Sequence, residues 1–118
     1  MKEKMKKLND DLYVGNQIGV EDIPELTKMG FKTIVCNRPD KEGPDQTDFE
    51  ELKSSDNSDG LDMHFIPFYP GQLTIEDVEN FSLVLKNSPK PIFAFCLSGG
   101  RSIQIAKAAY QLLEENNK

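Results

Sequence analysis

The period of the apolar positions changes several times along this chain, and each change predicts an element. Thr33-Ile-Val-Cys36 and Ile92-Phe-Ala-Phe95 are short, nearly continuous apolar runs, the pattern of strands buried on both faces of a sheet. Leu12-Tyr-Val reads as an opening strand, and Met63-His-Phe-Ile-Pro-Phe as one that ends at its proline. Elsewhere the spacing lengthens to that of a helix. Gly19 to Gly30 predicts a short helix stopped by glycine, with Pro24 tolerable only in its first turn. Ile75, Val78, Phe81 and Leu85 mark the apolar face of a second, whose start is signalled by Thr74 and Asp77 in the reciprocal capping pattern. Ile103, Ala106, Tyr110 and Leu113 give the last helix its inward face.

Between these segments lies a polar stretch, Lys41 to Gly60. It holds one short helix, from Thr47 to about Lys53, and otherwise turn chemistry with little to bury, so a mobile loop is expected. Helices alternating with short apolar strands predict an α/β fold, a three-layer α/β/α sandwich around a mostly parallel sheet of four or five strands. In such sheets ligands sit beyond the carboxyl ends of the strands. Three loops leave those ends: Asn37 to Asp40, Tyr69 to Leu73, and Cys96 to Arg101.

Composition narrows the picture. The 118 residues suit one domain, taken as 1–118, with residues 1–8 expected to fray. Two cysteines and one histidine make a zinc cluster improbable, and no cofactor motif is present. The net charge of −6 argues against nucleic acid as a partner, and no apolar run is long enough to span a bilayer. No apolar core follows the basic N-terminus, so a cytoplasmic location is the expectation.

The chemistry concentrates in Cys96-Leu-Ser-Gly-Gly-Arg-Ser102. A strand delivers a thiol to a helix N-terminus, whose dipole favours the thiolate. Glycines at 99 and 100 allow a concave nest of amides, so Leu97, Ser98, Gly99, Gly100 and Arg101 are the expected oxyanion-binding residues. Arg101 adds a planar set of donors.

With Leu12-Tyr-Val-Gly-Asn, His64-Phe-Ile-Pro-Phe and this loop in order, the chain resembles the cysteine-dependent phosphatases of the dual-specificity branch. It is still more similar to the bacterial β-lactamase-hydrolase-like, phosphatase-like domains, which share Asn37-Arg-Pro-Asp40 and the Cys-x-Ser-Gly-x-Arg-Ser loop. The resemblance implies a hydrolase of a small phosphate ester or other oxyanion. Cys96 would be the nucleophile that carries a phosphoryl group, Arg101 would bind the equatorial oxygens, and Ser102 would help the thiolate leave.

Three departures separate the chain from that pattern. Four residues rather than five lie between Cys96 and Arg101, a length resembling the loop of rhodanese sulfurtransferases. Phe95 stands where a histidine is usual, and Pro70 where the family's acidic aspartate is expected. Asp40 is the substitute candidate for the general acid, and Cys36 a candidate redox partner for Cys96. Three functions therefore stay open: a phosphatase, a sulfurtransferase working through a Cys96 persulfide, and a catalytically weak oxyanion-binding domain.

Overall fold

A computed structural model of the chain describes residues 5–55 and 60–117. Its elements run β1 (Met5–Lys7), β2 (Leu12–Gly15), a 3-10 turn (Val20–Asp22), α1 (Ile23–Lys28), β3 (Thr33–Cys36), α2 (Phe49–Ser54), β4 (Asp62–Phe65), α3 (Ile75–Asn87), β5 (Ile92–Phe95) and α4 (Gly100–Asn116). The sheet has the order β1-β2-β5-β3-β4. All its pairs are parallel except β1 with β2.

Strand alternation divides the core in two. Leu12, Val14, Val35, Ile92 and Ala94 face α3 and α4, where they meet Phe81, Val84, Leu85, Ile105, Ala106 and Ala109. Ile34, Cys36, Phe93 and Phe95 point the other way, onto Ile23 and Leu26 of α1 and Phe49 and Leu52 of α2. Because both faces of β3 and β5 are covered, every residue of these two strands is buried, as their unbroken apolar pattern requires. This is the three-layer sandwich predicted from the alternating elements.

Three details differ from the sequence expectations. Met5–Lys7, inside the stretch expected to fray, pairs with β2 as an antiparallel edge strand, Lys6 opposite Val14; residues 1–4 lie outside the described residues. Ile75, placed by its spacing on the buried face of α3, is 77% exposed at the first residue of that helix. The loop after β3 is extensively bonded up to Phe49: Gln46 Oε1 accepts from the amides of Glu42 and Gly43, and its Nε2 donates to Pro39 O. Of the rest of that polar stretch, residues 56–59 lie outside the described residues.

The central place of β5 fixes the site. Its last residue leads straight into Cys96, and the loops leaving β2 and β3 flank it, Cys96 N donating to Gly15 O and Asn37 N to Phe95 O.

Candidate active site

Cys96 lies at the floor of the rim formed by the strand ends, with 1% of its surface exposed. The chain then turns sharply. Gly99 takes φ +98°, a left-handed conformation that side chains other than glycine rarely adopt, and its amide donates to Cys96 Sγ at 3.1 Å. A Cβ there would meet Gly15 O only at ordinary contact distance, 3.5 Å, so it is the turn rather than space that calls for glycine. Helix α4 begins at the next residue. Ile103 N reaches back to Gly99 O, which makes Ile103 the first intrahelical donor and leaves the amides before it as the helix's open N-terminal end. An anion-favouring terminus therefore abuts the sulfur.

Arg101, in the first turn of α4, is 9% exposed. Its Nη1 donates to Glu42 Oε2 at 2.9 Å and to Phe68 O at 3.1 Å, and its Nη2 to Glu42 Oε1 at 2.7 Å. The Glu42 carboxylate favours its charged form and outweighs the effect of burial. Glu42 is shared: its Oε1 also accepts from Arg38 Nε at 2.8 Å. Held by Arg101 first and Arg38 second, its carboxyl titrates below the usual range despite burial. It is ionised at neutral pH.

Ser102 is fully buried, and its hydroxyl donates to Asn37 Oδ1 at 2.8 Å. The orientation of Asn37 is set by its other arm, where Nδ2 donates to Ile66 O at 2.9 Å. Since an amide oxygen only accepts, the single proton of Ser102 goes to Asn37 in this arrangement.

The residues named from the sequence thus divide. Cys96, Gly99, Arg101 and Ser102 come together, while Leu97 and Ser98 are exposed at the rim. Asp40 follows the same loop but accepts from the Phe49 amide at 2.8 Å, at the start of α2. Cys36 and Cys96 are both free thiols. Cys36 Sγ donates to Arg38 O, and burial pushes its thiol up to about 12. Glu42 and Asn37 were not singled out from the sequence. Their partners lie 59 and 65 positions away, and the local cue for Glu42 was its spacing of four from Arg38.

The same arrangement of elements is found in known proteins. A cysteine-to-serine form of Pseudomonas aeruginosa TpbA in complex with phosphotyrosine aligns with a TM-score of 0.59 at 14% identity, over 81% of this chain and 54% of that one, and shares its fold. A candidate phosphatase from Neisseria meningitidis matches more closely, with a TM-score of 0.77 and 32% identity over 85% of this chain and 71% of its own. A β-lactamase hydrolase-like protein of Agrobacterium fabrum is 32% identical over 102 residues, 86% of this chain. The match occupies 24% of that relative, so the chain spans about a quarter of its length. The model of the phosphatase-like domain of β-lactamase hydrolase-like proteins matches residues 4–112, and the chain belongs to that family.

Proposed function

We propose that this domain hydrolyses phosphate monoesters through Cys96. The observation that carries the reading is the contact of Cys96 Sγ with the Gly99 amide, at a helix N-terminus that also presents Arg101. The thiolate attacks phosphorus, the ester P–O bond breaks, and the leaving group departs with a proton. Water then attacks the phosphoryl-cysteine, releasing phosphate and restoring the thiolate. The loop amides and Arg101 stabilise charge on the equatorial oxygens in both steps. Ser102 orients the loop through Asn37. The phosphotyrosine bound by TpbA supports an aryl phosphate as the test substrate.

The proton donor sets the substrate range. Pro70 carries no acid, Glu42 is held ionised, and the Asp40 carboxylate is engaged at α2. General acid catalysis contributes typically ~10²–10⁴-fold, so esters with acidic leaving groups are the favoured substrates. If Asp40 donates, Asp40→Asn slows a poor-leaving-group ester far more than an activated one. Cys36 takes no catalytic part in this reading: a thiol with a pKa of about 12 stays protonated at neutral pH and attacks an oxidised Cys96 slowly.

The test is turnover of an activated aryl phosphate by the wild type and by Cys96→Ser. We expect turnover that the substitution abolishes; equal rates from both would remove Cys96 as nucleophile. The four-residue spacing of Cys96 and Arg101 favours sulfur transfer as the second reading. There the thiolate would take the outer sulfur of thiosulfate with loss of sulfite, and cyanide would carry it off as thiocyanate. Thiocyanate formation without phosphate release would select it.

A further inference from the structure

A guanidinium offers five N–H donors, and the contacts of Arg101 with Glu42 and Phe68 O engage three of them, all on Nη1 and Nη2. The Glu42 carboxylate lies across the outer edge formed by those two nitrogens. What remains for an anion is the Nε–Nη2 edge, and Cys96 lies close enough to act electrostatically on Arg101. Glu42 is itself firmly placed. Arg38 grips Oε1, and the Glu42 and Gly43 amides are bound by Gln46. Arg38 in turn donates to Gln17 Oε1 at 3.2 Å, and Gln17 N donates to Leu97 O in the nucleophile loop. A Cβ on Gly43 would fall 2.7 Å from Arg38 Nη2, so the strap closes tightly over that guanidinium.

We propose that Glu42 is the positioning residue of the oxyanion site: it fixes Arg101 by its outer edge and aims the remaining donors at the loop around Cys96. The proposal rests on the phosphatase reading and deepens it. Glu42 touches no substrate; it acts through Arg101. An arginine side chain gives up as much as ~2 kcal/mol of rotamer freedom when fixed, so a carboxylate that fixes it beforehand removes that cost from anion binding. Arg38 and the Gly43–Gln46 turn keep the carboxylate in place and neutralise part of its charge.

The opposite arrangement is a plug, in which the carboxylate occupies the substrate's place on Arg101. Phosphate binding separates the two. Inorganic phosphate affinity, by calorimetry, and aryl phosphate kinetics are measured for the wild type, Glu42→Ala, Glu42→Gln and Arg38→Ala. We expect Glu42→Ala to weaken phosphate binding and lower kcat/KM tenfold or more at temperatures well below its melting transition, which should itself fall because two buried guanidinium groups lose their shared carboxylate. Glu42→Gln, isosteric and uncharged, should recover part of the loss, and Arg38→Ala should fall between. Wild-type affinity should also fall as the solution is acidified through the lowered Glu42 pKa, below the ordinary value of 4.5, a limb that Glu42→Gln lacks. Unchanged or tighter phosphate binding by both Glu42 variants would overturn the proposal while leaving the phosphatase reading intact. A wild type that neither binds phosphate nor turns over the ester would overturn both.

Discussion

Asn37 holds more of the rim together than any residue singled out from the sequence. Its backbone bonds Phe95 and Phe68, and its side chain bonds Ile66 and Ser102 while it is wholly buried. One residue thus ties together the ends of β3 and β5, the segment leaving β4, and the first turn of α4. Asn37→Ala strands the Ser102 hydroxyl and the Ile66 carbonyl, and at ~1–3 kcal/mol for each unsatisfied buried group we expect a loss of about 2–6 kcal/mol, read by urea unfolding. A loss below 1 kcal/mol would mean that water replaces both partners. Cys96 and Arg101 were legible in the sequence because their chemistry is written locally, as a thiol, a glycine turn and a cation at a helix start. Asn37 and Glu42 were not, because in isolation they read as an ordinary turn asparagine and a surface acid. Their distant partners, Ser102 and Arg101 on α4 and Ile66 after β4, are brought to them only by the folded chain.

At the scale of elements, legibility followed how completely an element's own residues determine it. Helix α3 begins where its capping pair predicts: Asp77 N donates to Thr74 Oγ1 at 3.1 Å and Thr74 N to Asp77 Oδ2 at 3.1 Å. Thr74→Ala should cost about 1 kcal/mol in thermal or urea unfolding and leave any Cys96 chemistry unchanged, since the cap belongs to the helix alone. A drop in activity at constant stability would instead tie this terminus to the site. The strand β1 was missed because a basic tripeptide carries no strand pattern; the neighbouring free edge of β2 makes it a strand. The ordering of the loop after β3 was missed for a related reason. Its hydrogen bonds run from Gln46 to Pro39, Glu42 and Gly43, and no periodicity encodes such a web.

Over the whole molecule, the alternation of strands and helices was enough to predict the layers, and the site falls where the parallel strands end. The two layers of helix are unequal, though. One face carries α3 and α4, of 13 and 17 residues, and the other carries α1 and α2, of six residues each. Cooperative opening follows the weaker packing. In native-state hydrogen exchange we expect the amides of α1, α2 and the Glu42–Gln46 turn to exchange by a lower-energy opening than those of α3, α4 and β5; uniform protection across both faces would contradict this. Cys96 would then be mounted on the durable half of the molecule, and the loop whose Glu42 bonds Arg101 on the yielding half. Local unfolding of the thinner layer would release Arg101 while the sheet stays intact, so temperature and mild denaturant should reach activity before they reach the fold.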